Sequence, residues 1–210
     1  MTTFGTLRDR IADELDRTDL TSQIEREIKS AIAYYERRRF WFNEKRIDFA
    51  TVAGQEWYTS TDDSDIPNLL TLDIAKIAIT STTKHELELL PYAELEFVSD
   101  GGEADEGQPT GLAYFQKQVR LYPIPDASYS VVLSGIFALD ALSASADTNA
   151  WMTDGEGLIR QRTRRMIYSS VIRDPDLAAE AGRLEAEELR TLIEATSLKK
   201  ATGRVVPTTF

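Results

Sequence analysis

The sequence predicts an α+β fold: a helical bundle built from both chain ends, with a β-rich, antiparallel insert between the second and third helices. Three observations predict it. Apolar residues recur at three- and four-residue spacing near both ends, the period of an amphipathic helix. Between them the period falls to two, that of a strand. The charge divides at the same places. The 210 residues hold 35 acids and 24 bases, a net charge of −11. Residues 1–42 carry 8 acids and 8 bases, residues 43–154 carry 19 and 6, and residues 155–200 carry 8 and 9. All the net acidity therefore lies in the middle. This sets the expected organisation: 1–42 and 155–198 as the bundle, 43–154 as the insert, 199–210 as an extended tail.

The first helix rests on Phe4, Leu7, Ile11 and Leu15, with Asp9, Arg10, Asp13 and Glu14 off the stripe. The pattern lapses at Arg17-Thr18-Asp19. Ser22-Gln23-Ile24-Glu25 then fits a capping box for a second helix, whose stripe is Ile24, Ile28, Ala31, Ile32 and Tyr35. Arg37, Arg38 and Arg39 are expected in its last turn, where cations suit the helix dipole. Phe40, Trp41 and Phe42 offer a large aromatic area at the junction.

In the insert, Ile47, Phe49 and Thr51 alternate with Arg46, Asp48 and Ala50. Ala53-Gly54-Gln55 reads as a turn into Glu56 to Thr59, and Thr61 to Asp65 as a loop. Leu72, Ile74, Ile77 and Ile79 suggest a longer strand with a bulge near Ala75-Lys76, where the alternation changes phase. Leu87 and Leu89 alternate with Glu86 and Glu88. Pro91 opens a short helix to Phe97. Asp100 to Gln108 is an acidic loop. Leu112–Phe115, Gln118–Tyr122 and Tyr129–Phe137 complete the strands. The helical period returns near Gly155 with Ile159, Met166, Ile167 and Val171. Asp174-Pro175 fits an N-cap followed by proline at the first position of a last helix, lined by Leu177, Ala181, Leu184, Leu189, Leu192 and Ile193. Lys199 to Phe210 has no period.

Composition narrows the chemistry. There is no cysteine and one histidine, His85. That excludes disulfides, thiolate nucleophiles and cysteine or multi-histidine metal sites. Asp62, Asp63 and Asp65 read as a solvated loop. The stretch from Asp100 fails the calcium-loop pattern, with Gly102, Ala104 and Asp105 at its third, fifth and sixth positions. No nucleophile elbow, Walker loop or dinucleotide fingerprint is present. No catalytic residue, cofactor or metal is expected. No stretch is long and apolar enough to span a membrane. The net charge argues against binding to nucleic-acid backbones. Two basic clusters remain, Arg37 to Arg39, and Arg160, Arg162, Arg164 and Arg165. Each reads either as a solvated helix face or as a contact for an acidic partner, and arginine's enrichment at interfaces favours protein contact. Two other readings stay open: a hydrolase using two carboxylates, and a ligand-binding or carbohydrate-binding β domain with Trp57, Tyr58 and Tyr92 as exposed aromatics.

Four passages together carry a family resemblance. They are Leu7-x3-Ile11-x3-Leu15-Asp16-Arg17-Thr18-Asp19-Leu20 with the helix from Ile24 to Trp41-Phe42; Gly107-Gln108-Pro109-Thr110-Gly111-Leu112-Ala113-Tyr114; Val119-x-Leu121-Tyr122-Pro123-Ile124-Pro125-Asp126; and Asn149-Ala150-Trp151-Met152 leading to Gly157-Leu158-Ile159. In order and spacing the chain resembles the head-to-tail adaptor proteins of tailed bacteriophages, the connector, head-completion or tail-tubular-A-like group of short-tailed phages. Asp140 to Asp147 departs from the pattern, being small and polar where a longer apolar approach is expected. The resemblance implies a non-enzymatic structural protein of the virion neck, assembled in the host cytoplasm. It implies a homo-oligomeric, twelve-fold ring between the portal protein and a tail or nozzle protein, closing the head after packaging. DNA would pass through the channel without specific binding. Portal or partner contacts would come from Arg160, Arg162, Arg164 and Arg165, and from Arg204, Val205, Val206 and Phe210 in the tail.

Overall fold

A computed structural model describes residues 2–78, 83–99 and 105–201. It is an α+β protein of two compact units. One comprises Met1–Asn43 and Leu139–Phe210, the other Glu44–Ala138.

The helical unit contains α1 (Phe4–Leu15), α2 (Thr21–Tyr35), α4 (Ala150–Thr153), α5 (Glu156–Ile167) and α6 (Pro175–Ala201). A π-helical turn at Tyr168–Ile172 joins the last two. The α1 stripe is buried as its spacing predicts, with Phe4, Leu7, Ile11 and Leu15 all in the core. So are Ile24, Ile28, Ala31 and Tyr35 of α2. Helix α5 packs against α1, α2 and α6 and contributes Leu158, Ile159 and Ile167. Phe40 is fully buried, stacks on Phe42 at 5.4 Å, and meets Trp151 edge-on at 5.6 Å. Residues 139–154, counted with the insert because the charge divides there and the helical period returns only near Gly155, belong to this unit, and Leu142, Trp151 and Met152 lie in its core.

The caps differ from the expected ones. Ser22 lies inside α2, whose N-cap is Leu20 without a side-chain bond. Glu25 is drawn instead to Arg8, at 2.9 Å. The capping box forms at α1, between Thr3 and Thr6. Its next amides are met from a segment distant in sequence: Phe4 N donates to Asp147 O at 2.8 Å, and Gly5 N to Ser145 O at 2.9 Å. A Cβ on Gly5 would sit 2.8 Å from Ser145 Cβ, so only glycine lets that loop close on the helix. Asp147 holds the loop's shape, accepting from the amides of Ser143 and Ala144 at 2.7 Å each. These bonds keep its carboxyl below the usual carboxylate range. The polar stretch from Asp140 to Asp147 is thus the lid on α1.

Helix α2 stops at Tyr35, so Arg37 to Arg39 follow it in a turn rather than occupying its last turn. Buried Asn43 fixes that turn, donating to the carbonyls of Glu36 and Arg38 and accepting from Phe40 N at 2.8 Å. At α6 the sequence signal holds: Asp174 accepts from the amides of Asp176 and Leu177, both at 3.0 Å. The helix then runs through Lys199 to Ala201, past the expected start of the tail. On its predicted stripe, Ala181 and Leu192 are buried while Leu177 and Ile193 face solvent.

The β unit has strands β1 (Glu44–Ala50), β2 (Trp57–Tyr58), β3 (Leu69–Ala78), β4 (Lys84–Glu86), β5 (Glu88–Leu89), β6 (Glu106–Gly107), β7 (Gly111–Phe115), β8 (Gln118–Tyr122), β9 (Ile124–Pro125) and β10 (Ser130–Phe137), and a helix α3 (Tyr92–Ser99). One sheet is ordered β1-β10-β3-β4 and a second β2-β8-β7-β5. Pairing is antiparallel except for two short parallel pairs, β5 with β7 and β6 with β9. Ile47, Phe49, Ile77, Val131 and Leu133 of the first sheet share a core with Tyr58, Leu112, Val119 and Leu121 of the second, as in packed sheets.

The chain changes sheets at Leu87, which is buried and donates its amide to Ala75 O at 2.9 Å. That switch breaks the alternation, so Leu89 ends exposed. The bulge lies earlier than Ala75-Lys76. Ser134 pairs with Ile74 and Gly135 with Leu72, skipping Asp73. At this point the backbones are too close for a side chain: a Cβ on Gly135 would fall 2.0 Å from Thr71 O. Ile79 and residues 100–104 of the acidic loop lie outside the described residues.

Candidate interaction site

The densest polar constellation lies on α5. Its sequence places arginine at 160, 162, 164 and 165, which a helical period spreads over several faces. Arg162 and Arg165 converge on one carboxylate, Glu185 of α6, at 3.0 Å each. The Tyr35 hydroxyl donates to the same group at 2.5 Å. Burial pushes the Glu185 carboxyl up, but hydrogen bonds from Tyr35, Arg165 and Arg162 outweigh it and hold it below its ordinary value. Burial and the bond to Glu185 push the Tyr35 hydroxyl up. Arg162 also lies over the Tyr34 ring, 3.8 Å from its centre.

On another face, Arg160 and Arg164 meet Glu14 of α1 at 3.0 and 3.4 Å. Arg10 bridges Glu14 and Glu156. Arg160, Arg162 and Arg164 are therefore mostly covered, and they tie α5 to α1, α2 and α6. Arg165 is the open one, its side chain 48% exposed. It borders an open groove of about 600 Å³ at the elbow between α5 and α6, lined also by Ser169, Arg173, Pro175, Ala178, Ala179 and Gly182. Arg204, Val205, Val206 and Phe210 lie outside the described residues.

The β unit holds a second constellation that the sequence reading missed. Arg120, almost fully buried in β8, meets Glu56 at 2.5 Å, Glu96 at 2.6 Å and Ser99 Oγ at 3.0 Å. The rings of Trp57 and Tyr92 flank it, 5.3 and 6.0 Å from the guanidinium, and Tyr92 stacks on Phe115 at 4.0 Å. These bonds fasten α3 to the sheet. The available signal was a lone arginine between Val119 and Leu121, where a buried cation demands carboxylates from elsewhere. Of the aromatics proposed for ligand binding, Tyr58 is fully buried and its hydroxyl donates to Gln55 O at 3.0 Å. Trp57 and Tyr92 are half-buried against Arg120.

The loop from Thr61 to Asp65 is used locally. Asp62 accepts from Thr59 N at 2.7 Å and from Gln55 at 2.8 Å, and Asp65 pairs with Lys45 at 2.5 Å. Among the described residues no group of three or more histidines or carboxylates is placed to hold a metal ion, and no helix is long and apolar enough to cross a membrane.

In both units the charged and aromatic groups fasten one element to another. The chain belongs to the SU10 adaptor protein family, whose model matches residues 2–207. It is a phage adaptor, a structural component of the virion. No curated protein matches the chain.

Proposed function

We propose that the protein forms a ring between the portal and the tail machinery of a short-tailed, tail-tubular-A-like phage. The ring is twelve-fold, encloses the DNA channel and closes the head after packaging. The observation that carries this reading is the family match across nearly the whole chain. The division of charge supports it. The helical unit holds 18 bases and 19 acids, the β unit 6 bases and 16 acids. Acidic surface in a channel would repel the DNA backbone and let it slide. The bundle provides the packing surfaces, with Arg165 as the accessible member of its arginine cluster. Residues 202–210, with Arg204, Val205, Val206 and Phe210, dock on the portal. Assembly takes place in the host cytoplasm and ends at the neck of the virion.

Electron microscopy of the full chain with and without portal rings tests this. A closed ring seated on the portal is expected. Unoccupied portals at saturating protein would overturn the reading. Deleting residues 202–210 should weaken portal binding at least tenfold, and unchanged binding would remove the docking role of that segment.

A further inference from the structure

Two surface features, one on each unit, are complementary in charge, and one offers an exposed aromatic ring where the other leaves open space. The first is the outer face of α3. Phe97 is 84% exposed and Val98 48%, on a helix otherwise bolted to the sheet through Glu96 and Arg120. Ala93 and Glu94 lie one turn back on the same face. Glu96 is committed to Arg120, whereas Glu94 has no ion pair among the described residues. The face therefore presents an aromatic knob beside an unneutralised carboxylate. A largely exposed phenylalanine next to smaller apolar groups marks a contact surface more often than an isolated apolar residue does.

The second is the elbow groove. Pro175, Ala178, Ala179 and Gly182 line it with small side chains, leaving about 600 Å³ open. The Arg165 stem lies across Gly182, where an added Cβ would be 3.5 Å from Arg165 Cδ. Its charge is in excess. Arg162 and Arg165 share the single carboxylate of Glu185. Arg173 stands at the left-handed end of the π turn, with φ 61°, and has no ion pair among the described residues. The nearby Asp174 carboxylate is occupied by the first amides of α6. The groove is thus small-walled, open and cationic.

We propose that the elbow groove of one copy receives the α3 knob of a second copy, Phe97 entering between the arginines and Glu94 pairing with Arg173. Guanidinium groups favour both an aromatic face and a carboxylate. The wider charge balance agrees, since the strongly acidic β unit meets a near-neutral unit at its locally cationic spot. Such a contact joins two different surfaces, so it is heterologous and repeats in one direction, as a closed ring requires. The inference rests on the ring reading and names its joint.

The natural chain has no cysteine, so disulfide trapping is clean. Full-length protein carrying Phe97→Cys and Ala178→Cys, mildly oxidised, should give a ladder of linked multimers. Mixing the two single variants should give the heterodimer and nothing larger. A control pair, Phe97→Cys with the exposed Arg26→Cys, should give at least tenfold less. A product that stays at monomer size, open or internally closed, overturns the proposal, as does a control ladder of equal strength. Circular dichroism establishes that each variant is folded. Microscopy of the wild type separates the two levels. Rings without a ladder remove this joint and leave the ring reading, whereas no ring even on portals removes both.

Discussion

Glu185 shows how one residue can organise a surface. Its carboxylate serves two guanidinium groups and a tyrosine hydroxyl while itself nearly inaccessible. Glu185→Ala leaves Arg162 largely covered and unpaired, and should cost about 3 kcal/mol, read by thermal or urea unfolding. Tyr35→Phe, which removes one neutral donor, should cost about 1 kcal/mol. Because the folded-state carboxyl titrates below its unfolded value of 4.5, its contribution is complete above that value and is lost as pH falls through the folded one. Stability of Glu185→Gln should therefore vary less with pH in the acid range, which unfolding curves at several pH values would measure. Glycines give a sharper contrast. Gly135→Ala drives a methyl into the Thr71 carbonyl and should destabilise by about 3 kcal/mol. The nearest atoms to a Cβ on Gly157 are those of the Glu188 carboxylate, at 2.7 Å, the far end of a side chain that can swing aside, so with gained helix propensity Gly157→Ala should stay within about 1 kcal/mol of wild type. None of these partners was legible in the sequence. Glu185 looks like any acid on a long helix, and Gly135 like any strand glycine, because the constraint comes from residues far along the chain.

Elements were legible where local chemistry decides them. The α1 stripe, the Asp174-Pro175 start of α6 and the short helix after Pro91 all follow from spacing and from what proline and aspartate do at a helix end. Ser22-x2-Glu25 had the right letters for a cap, yet Arg8 outcompetes the backbone for Glu25. The polar stretch Asp140 to Asp147 had no local signal at all, since its role is to meet amides at the start of the chain. If that loop caps α1, Asp147→Ala should speed hydrogen exchange at the Phe4 and Gly5 amides while leaving α6 amides unchanged. Equal rates in the variant and the wild type would assign the cap to Thr3 and Thr6 alone.

At the scale of the whole molecule, helical ends around a β-rich middle were readable from period and charge, but the exit boundary was not. Residues 139–154 have no clear period, and the burial of Leu142, Trp151 and Met152, with the bonds from Ser145 and Asp147 to α1, assigns them to the bundle. The β unit has its own two-sheet core, so residues 44–138 expressed alone should fold and melt cooperatively, as circular dichroism would show. Its connections have a mechanical consequence. The chain enters at Glu44 and leaves after Phe137, and Glu44 lies opposite Ile136 on the antiparallel neighbour. Both attachments thus sit at one end of a single strand pair. Tension on the two connections would pull β1 and β10 apart like a zipper, loading their hydrogen bonds one after another rather than all at once. Loaded in that way the pair opens one bond at a time, so it yields at lower force than the same strands would if sheared past each other.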